Sequence, residues 1–223
     1  MQKEQIIKVI KELKENSPKR NFKQTIDIII NLKQIDIKKQ DQKIDTFLTL
    51  NQTKGKPIKT CIFLDKQLEP KAKDKFTKII IKEEFSKWTD KKELKKLAKS
   101  YDFFIAQANL MVQIAGTFGK YLGPLGKMPN PKAGCVVTMD SDLDFLADKL
   151  QKTIRLITKN EPILKASVGD QEMPDEQIAD NILNIYNHIT NNLPQHELNI
   201  KSVLIKFSMS PPKFIIGGKK QEK

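Results

Sequence analysis

Arginine is almost missing from this chain: Arg20 and Arg155 are the only two. Histidine is as scarce, with only His188 and His196, and neither sits in an HExxH or any other spaced ligand set. That excludes the common zinc-hydrolase patterns and predicts surface or packing histidines. Cysteine is limited to Cys61 and Cys135, with no CxxC spacing. The pair reads as reduced core thiols of a cytosolic protein, and no spacing argues for a disulfide between them. No run of 18 apolar residues occurs, so no transmembrane helix is expected. The first residues lack the apolar block of a secretory signal. Catalytic signatures are missing as well, and no nucleophile–base constellation can be assembled.

Among the glycines, Gly116, Gly119, Gly123 and Gly126 crowd together, with Lys120 and Lys127 beside two of them. A phosphate-cradling loop needs G-x-x-x-x-G-K-[ST]. The required partner glycines are instead Tyr121 and Ile114, and Met128 follows Lys127. A tight loop beside a helix is the preferred reading. The rival is a nucleotide-dependent α/β enzyme using the glycine-rich loop 116–127. Asp140, Asp142, Asp144 and Asp148 form an acidic cluster that helix capping explains without a metal.

What is abundant is lysine. Forty basic against 27 acidic residues leave a net charge of +13, which favours polyanionic partners, nucleic acid or an anionic membrane. The excess is +7 over residues 1–64, +6 over 65–155 and zero over 156–223. A chain of 223 residues holds one large or two small domains.

Ile6, Ile7, Val9, Ile10 and Leu13 recur at helical spacing, and Pro18 ends that helix. Residues 21–32 alternate as a strand, with short strands expected at Thr46–Leu50 and Ile58–Leu64. Beyond Asp65, apolar runs at 78–82 and 102–106 alternate with helical patterns at 91–100 and 142–153, the last capped by Ser141. Residues 154–158 and 163–168 read as a hairpin. A long helix follows from Pro174 to about Asn191, then a final strand over 200–209. The tail from Gly217 is expected to be disordered. The fold class is α+β in two domains. A discontinuous α+β domain, 1–64 with 156–223, carries an inserted α/β (Rossmann-like, three-layer) domain at 65–155. Two connections would cross between them and form a hinge.

The block from Tyr121 to Gly134, YLGPLGKMPNPKAG, resembles the signature of the L-one family of large-subunit ribosomal proteins, and the likeness reaches an archaeal-like pattern over most of the chain. Phe22-Lys-Gln-Thr-Ile-Asp27 is similar to that family's first strand, and residues 201–211 to its last. The family forms the mobile stalk beside the ribosome's exit site for tRNA. The resemblance implies a non-enzymatic, cytoplasmic ribosomal protein without cofactor or metal, monomeric off the ribosome. Its partners would be large-subunit rRNA of the stalk, exit-site tRNA and its own messenger RNA, whose translation it would repress.

Position by position, the resemblance implies an rRNA site of Phe22, Thr25 and Asp27 with Ser202, Ser208, Met209 and Ser210, and Val168 and Gly169 nearby. Hydroxyls and backbone groups suit 2′-hydroxyls and phosphates, Phe22 and Met209 suit apolar contact, and Lys23 and Lys206 add salt-sensitive attraction. Read without the resemblance, Phe22 and Met209 would be ordinary core. Three positions depart from the family pattern: Leu125 stands where arginine is usual, Ser208 where threonine is, and Ser210 where glycine is. A side chain at Ser210 is expected to crowd close RNA approach.

Overall fold

The computed structural model describes residues 1–217, apart from 19, 37, 38, 40, 41 and 74. Residues 218–223, most of the tail expected to be disordered, lie outside the described residues. The chain divides into two compact units, Met1–Lys56 with Lys152–Lys223, and Pro57–Gln151.

In the first unit, β1 (Thr25–Leu32), β8 (Ile163–Asp170), β9 (Ile200–Phe207) and β10 (Lys213–Ile216) form an antiparallel sheet in the order β10-β9-β1-β8. A two-stranded ribbon of β2 (Asp45–Thr49) and β7 (Thr153–Ile157) is not hydrogen-bonded into it but shares its core. α1 (Lys3–Asn16) and α6 (Asp175–Asn192) supply the helical half of the core. Ile6, Ile10 and Leu13 of α1 and Ile178, Ile182, Ile185 and Ile189 of α6 share one buried cluster with Ile26, Ile28, Ile30, Val203, Ile205 and Phe207. Alternate strand residues thus face the helices, and the other set faces away.

In the second unit, β3 (Thr60–Leu64), β4 (Lys78–Ile81), β5 (Phe103–Gln107) and β6 (Val136–Val137) form a parallel sheet in the order β4-β3-β5-β6. Parallel pairing demands crossovers, and these run through α2 (Glu69–Ala72), α3 (Lys91–Ser100) and α4 (Met111–Leu122), before α5 (Leu143–Lys152) leads out. Phe63, Phe104, Leu94, Leu97, Ile114 and Phe118 are buried together on one face. Ile62, Leu64 and Ile105 are buried outside that cluster, as are Leu143, Leu146 and Leu150 of α5. The unit is a three-layer α/β sandwich, and the chain as a whole is α+β.

Four expectations need correction. Residues 154–158 and 163–168 are not a hairpin: β7 pairs with β2, while β8 pairs with β1. Both are strands, but sequence proximity does not choose a strand's partner. Strand Thr60–Leu64 pairs in parallel with β4 and β5, so it belongs to the inserted unit and not to the discontinuous one; residues 152–155 go the other way. Asp142, not Ser141, caps α5, its Oδ1 accepting from the amides of Asp144 and Phe145 at 2.9 and 3.2 Å. Ser141 instead bonds Thr138, whose amide donates to its Oγ at 2.9 Å. Finally, the strand over 200–209 is not the last, because β10 follows Pro211-Pro212 and adds an edge strand.

Candidate nucleic-acid interface

Four strands leave a face turned away from the helices of the first unit. Register fixes its membership: Asp27 lies opposite Lys206 and Ser167, Ile29 opposite Leu204 and Lys165, and Asn31 opposite Ser202 and Ile163. At one end the face meets the turn after β9. The Ser208 amide donates to the Thr25 carbonyl at 3.0 Å, and the two hydroxyl oxygens lie 2.6 Å apart. The ladder therefore runs one residue past Phe207, and two hydroxyls stand side by side at its end.

Ser210 closes that turn. Its amide donates to the Phe207 carbonyl at 3.1 Å, and its Oγ accepts from the Phe207 amide at 2.9 Å. The side chain expected to crowd RNA is turned inward and buried, with φ outside the left-handed region, so glycine's freedom is not needed there. With Phe207 and Ser210 held inside, Met209 is pushed out at the tip, 61% exposed. Phe22 precedes β1 and is 53% exposed, so the core alternative for both residues fails. An open hollow of about 520 Å³ beside Phe22 is lined by Arg20, Asn21, Lys23, Gln171 and Glu172. Lys23 pairs with Glu172, whose hydrogen bond holds the ammonium above the usual lysine range.

Asp27 is half-buried on the open face. Desolvation pushes its carboxyl above the ordinary value, and Lys206 across the ladder offsets part of that. A carboxylate, hydroxyls and lysines on one open face offer donors and acceptors to sugar hydroxyls, base edges and phosphates.

Three expected residues are not brought to this cluster. Ser202 sits at the opposite end of β9, six residues and roughly 20 Å from Ser208 at strand spacing. There it is 5% exposed, accepts from Asn31 Nδ2 at 2.8 Å, and lies under Gly217. Val168 is the extra residue of a bulge in β8, since Ile26 pairs with Gly169 and Asp27 with Ser167. Its side chain is in the core and its carbonyl accepts from Asn181 at 2.8 Å. A Cβ on Gly169 would stand 2.9 Å from Met173 Sδ and 3.3 Å from Ile178 of α6, so that glycine serves close packing against the turn and the helix that follow it. Conversely, Lys165, Ser167, Arg20 and Gln171 were not picked out from sequence. Period-two alternation in 163–170 pairs Lys165 with Ser167, but only the β1 pairing shows which face they share.

In the second unit, the stretch 116–134 makes local structural contacts. Gly116 and Gly119 lie inside α4, not in a loop ahead of a helix, so their amides do not form a phosphate nest. Lys127 Nζ donates to the carbonyls of Ala98 and Tyr101 at 3.0 and 2.6 Å, closing the C-terminal end of α3. Asn130 Oδ1 accepts from the Lys132 amide at 2.9 Å, and Gly134 takes φ +75°. Leu125 is 47% exposed. In the acidic cluster, Asp144 pairs with Lys75 at 2.6 Å beside the Asp142 cap.

The description of the ribosomal protein L1p/L10e family matches residues 13–211. The chain is similar to the large ribosomal subunit protein uL1 of Pyrococcus abyssi, 37% identical over 210 residues and 94% of each chain. It is 36% identical to that of Methanobrevibacter smithii over 212 residues, covering 93% of this chain and 97% of the relative. With that of Methanocaldococcus jannaschii the identity is 35% over 212 residues, covering 95% and 94%.

Proposed function

The chain belongs to the ribosomal protein L1p/L10e family and is a structural constituent of the large subunit of the cytoplasmic ribosome, not an enzyme; from that premise we propose that its discontinuous unit grips the stalk rRNA. The observation that carries this reading is the strand end where Thr25 and Ser208 stand hydroxyl to hydroxyl between the exposed Phe22 and Met209. Hydroxyls there read 2′-hydroxyls and phosphates, the two apolar side chains seat against unpaired bases, and Asp27 orients the strand beside them. Lysine draws the RNA in without selecting it.

The second unit, on this reading, assists release of deacylated tRNA from the exit site, and the first also binds the protein's own messenger RNA and represses it. Both finer roles rest on the family resemblance. They are tested by tRNA release from ribosomes carrying or lacking the protein, and by translation of a message with its native leader as protein is added.

The grip is tested by binding to a stalk rRNA fragment at physiological salt. Wild type binds with nanomolar affinity and depends on the RNA's fold. The Ser208→Ala, Met209→Ala double variant binds at least tenfold more weakly while keeping its circular-dichroism spectrum. Unchanged affinity would remove this strand end from the site. Binding of nucleotides instead of RNA would return the enzyme reading.

A further inference from the structure

The open face continues well beyond the strand end, and its far side carries an aromatic ring that the rRNA grip does not use. Phe214 on the edge strand β10 is 51% exposed. It pairs with Leu204, which pairs with Ile29, which pairs with Lys165, so one cross-strand row runs Phe214–Leu204–Ile29–Lys165. Paired residues in an antiparallel ladder share a face. Ile205 and Ile28, one step along, are in the core, so this row faces away from it. The next row is Lys206–Asp27–Ser167.

Between the two rows lies a hollow of about 320 Å³ lined by Asp27, Ile29, Lys165, Ala166, Ser167 and Lys206. Resting on the RNA reading above, we propose that Phe214 is a stacking platform for an unpaired RNA base, and that the strand it anchors crosses the sheet through this hollow to the Thr25–Ser208 end. Phe214 lies ~10 Å across the sheet from Ile29, and Ile29 lies ~13 Å along β1 from Thr25, so the two contacts fit one short single-stranded segment.

Three features choose RNA as the occupant. A flat apolar ring exposed on a four-stranded antiparallel sheet gives a base a sequence-tolerant surface. Lys206 and Lys165 stand on either side of the hollow, where a phosphodiester on the row would pass. Ser167 and Asp27 put a hydroxyl and a carboxyl inside it, able to meet a base edge or a 2′-hydroxyl. A protein partner would find the apolar row interrupted by both lysines and the carboxylate within one strand spacing.

The test uses the full chain and a stalk rRNA fragment carrying 2-aminopurine at its unpaired positions in turn. Phe214→Ala weakens binding about five- to fiftyfold, and quenching at one unpaired position disappears. Phe214→Trp keeps both affinity and quenching; Phe214→Leu falls between. Because Phe214 is exposed on an edge strand, the variants fold, which their melting curves verify. If Phe214→Ala binds within twofold of wild type while the Ser208→Ala, Met209→Ala variant loses affinity, the platform is wrong and the rRNA grip stands. If wild type itself ignores the fragment, both fail. Self-association in sedimentation velocity that vanishes in Phe214→Ala, with RNA affinity unchanged, assigns the ring to a contact between copies and overturns the proposal.

Discussion

Asp27 is held where its charge is penalised: desolvation raises its carboxyl above the ordinary carboxylate value, and Lys206 only partly compensates. A carboxyl whose folded value is raised favours its protonated form in the fold. Stability is therefore highest below the ordinary carboxylate value, falls as pH rises through the raised one, and stays lowered at neutral pH. Asp27→Asn should melt above wild type at pH 7 by no more than about 2 °C, with the gap closing below the ordinary value; thermal melts across pH 3–8 check this. The same variant should bind RNA more weakly, a trade of stability for function at one side chain.

Ser210 works in the opposite sense. Its buried hydroxyl satisfies the Phe207 amide, so Ser210→Gly should cost about 1 kcal/mol and leave RNA affinity no better than wild type. Tighter binding by that variant would restore the crowding argument. The thiols of Cys61 and Cys135 are pushed by burial to about 12 and about 11. They should resist a thiol reagent at pH 8 in the native protein and react fully in denaturant.

At the scale of elements, α6 shows how one polar residue ties a helix to two other segments. Asn181 is fully buried; its Nδ2 donates to the carbonyls of Val168 and Gln52 at 2.8 and 3.3 Å, and its Oδ1 accepts from the Gln52 amide at 3.1 Å. Asn181→Leu strands three backbone groups and should cost about 3 kcal/mol, read as a lowered urea midpoint. The helix itself was legible in sequence, because Ile178, Ile182, Ile185 and Ile189 announce its apolar stripe. Asn181 was not, since a lone amide among isoleucines carries no periodic signal. β10 was hidden for another reason: Pro211-Pro212 reads as a stop, whereas an edge strand tolerates prolines at its entry.

For the whole molecule, the two units have separate buried clusters, and Pro57–Gln151 is one continuous segment with its own sheet. Residues 57–151 expressed alone should fold cooperatively with mixed helix and strand dichroism, whereas 1–56 alone should not, lacking β8, β9 and α6. The net charge of +13 implies RNA affinity that falls linearly with the logarithm of salt. Lys165→Gln and Lys206→Gln should each lower that slope by about one; an unaltered slope for both would take the hollow out of the phosphate path.

Local pattern determined a good deal of this protein. α1, α3, α5 and α6, most strands, and the split of a basic chain around an inserted α/β segment follow from periodicity and charge, which are properties of neighbouring residues, whereas residues 116–122 read as a tight loop and the set Thr25, Ser208 and Met209 is implied only by the family resemblance. Tertiary structure alone decided which strands pair, and with that which side chains share a face. Alternation says that Asp27 and Ile29 point the same way, but not that Lys206 and Lys165 flank them. It cannot place the bulge that turns Val168 and Gly169 into the core. Pairing joins residues more than a hundred positions apart, and its free energy comes from burying a common core, a quantity no local window of sequence contains.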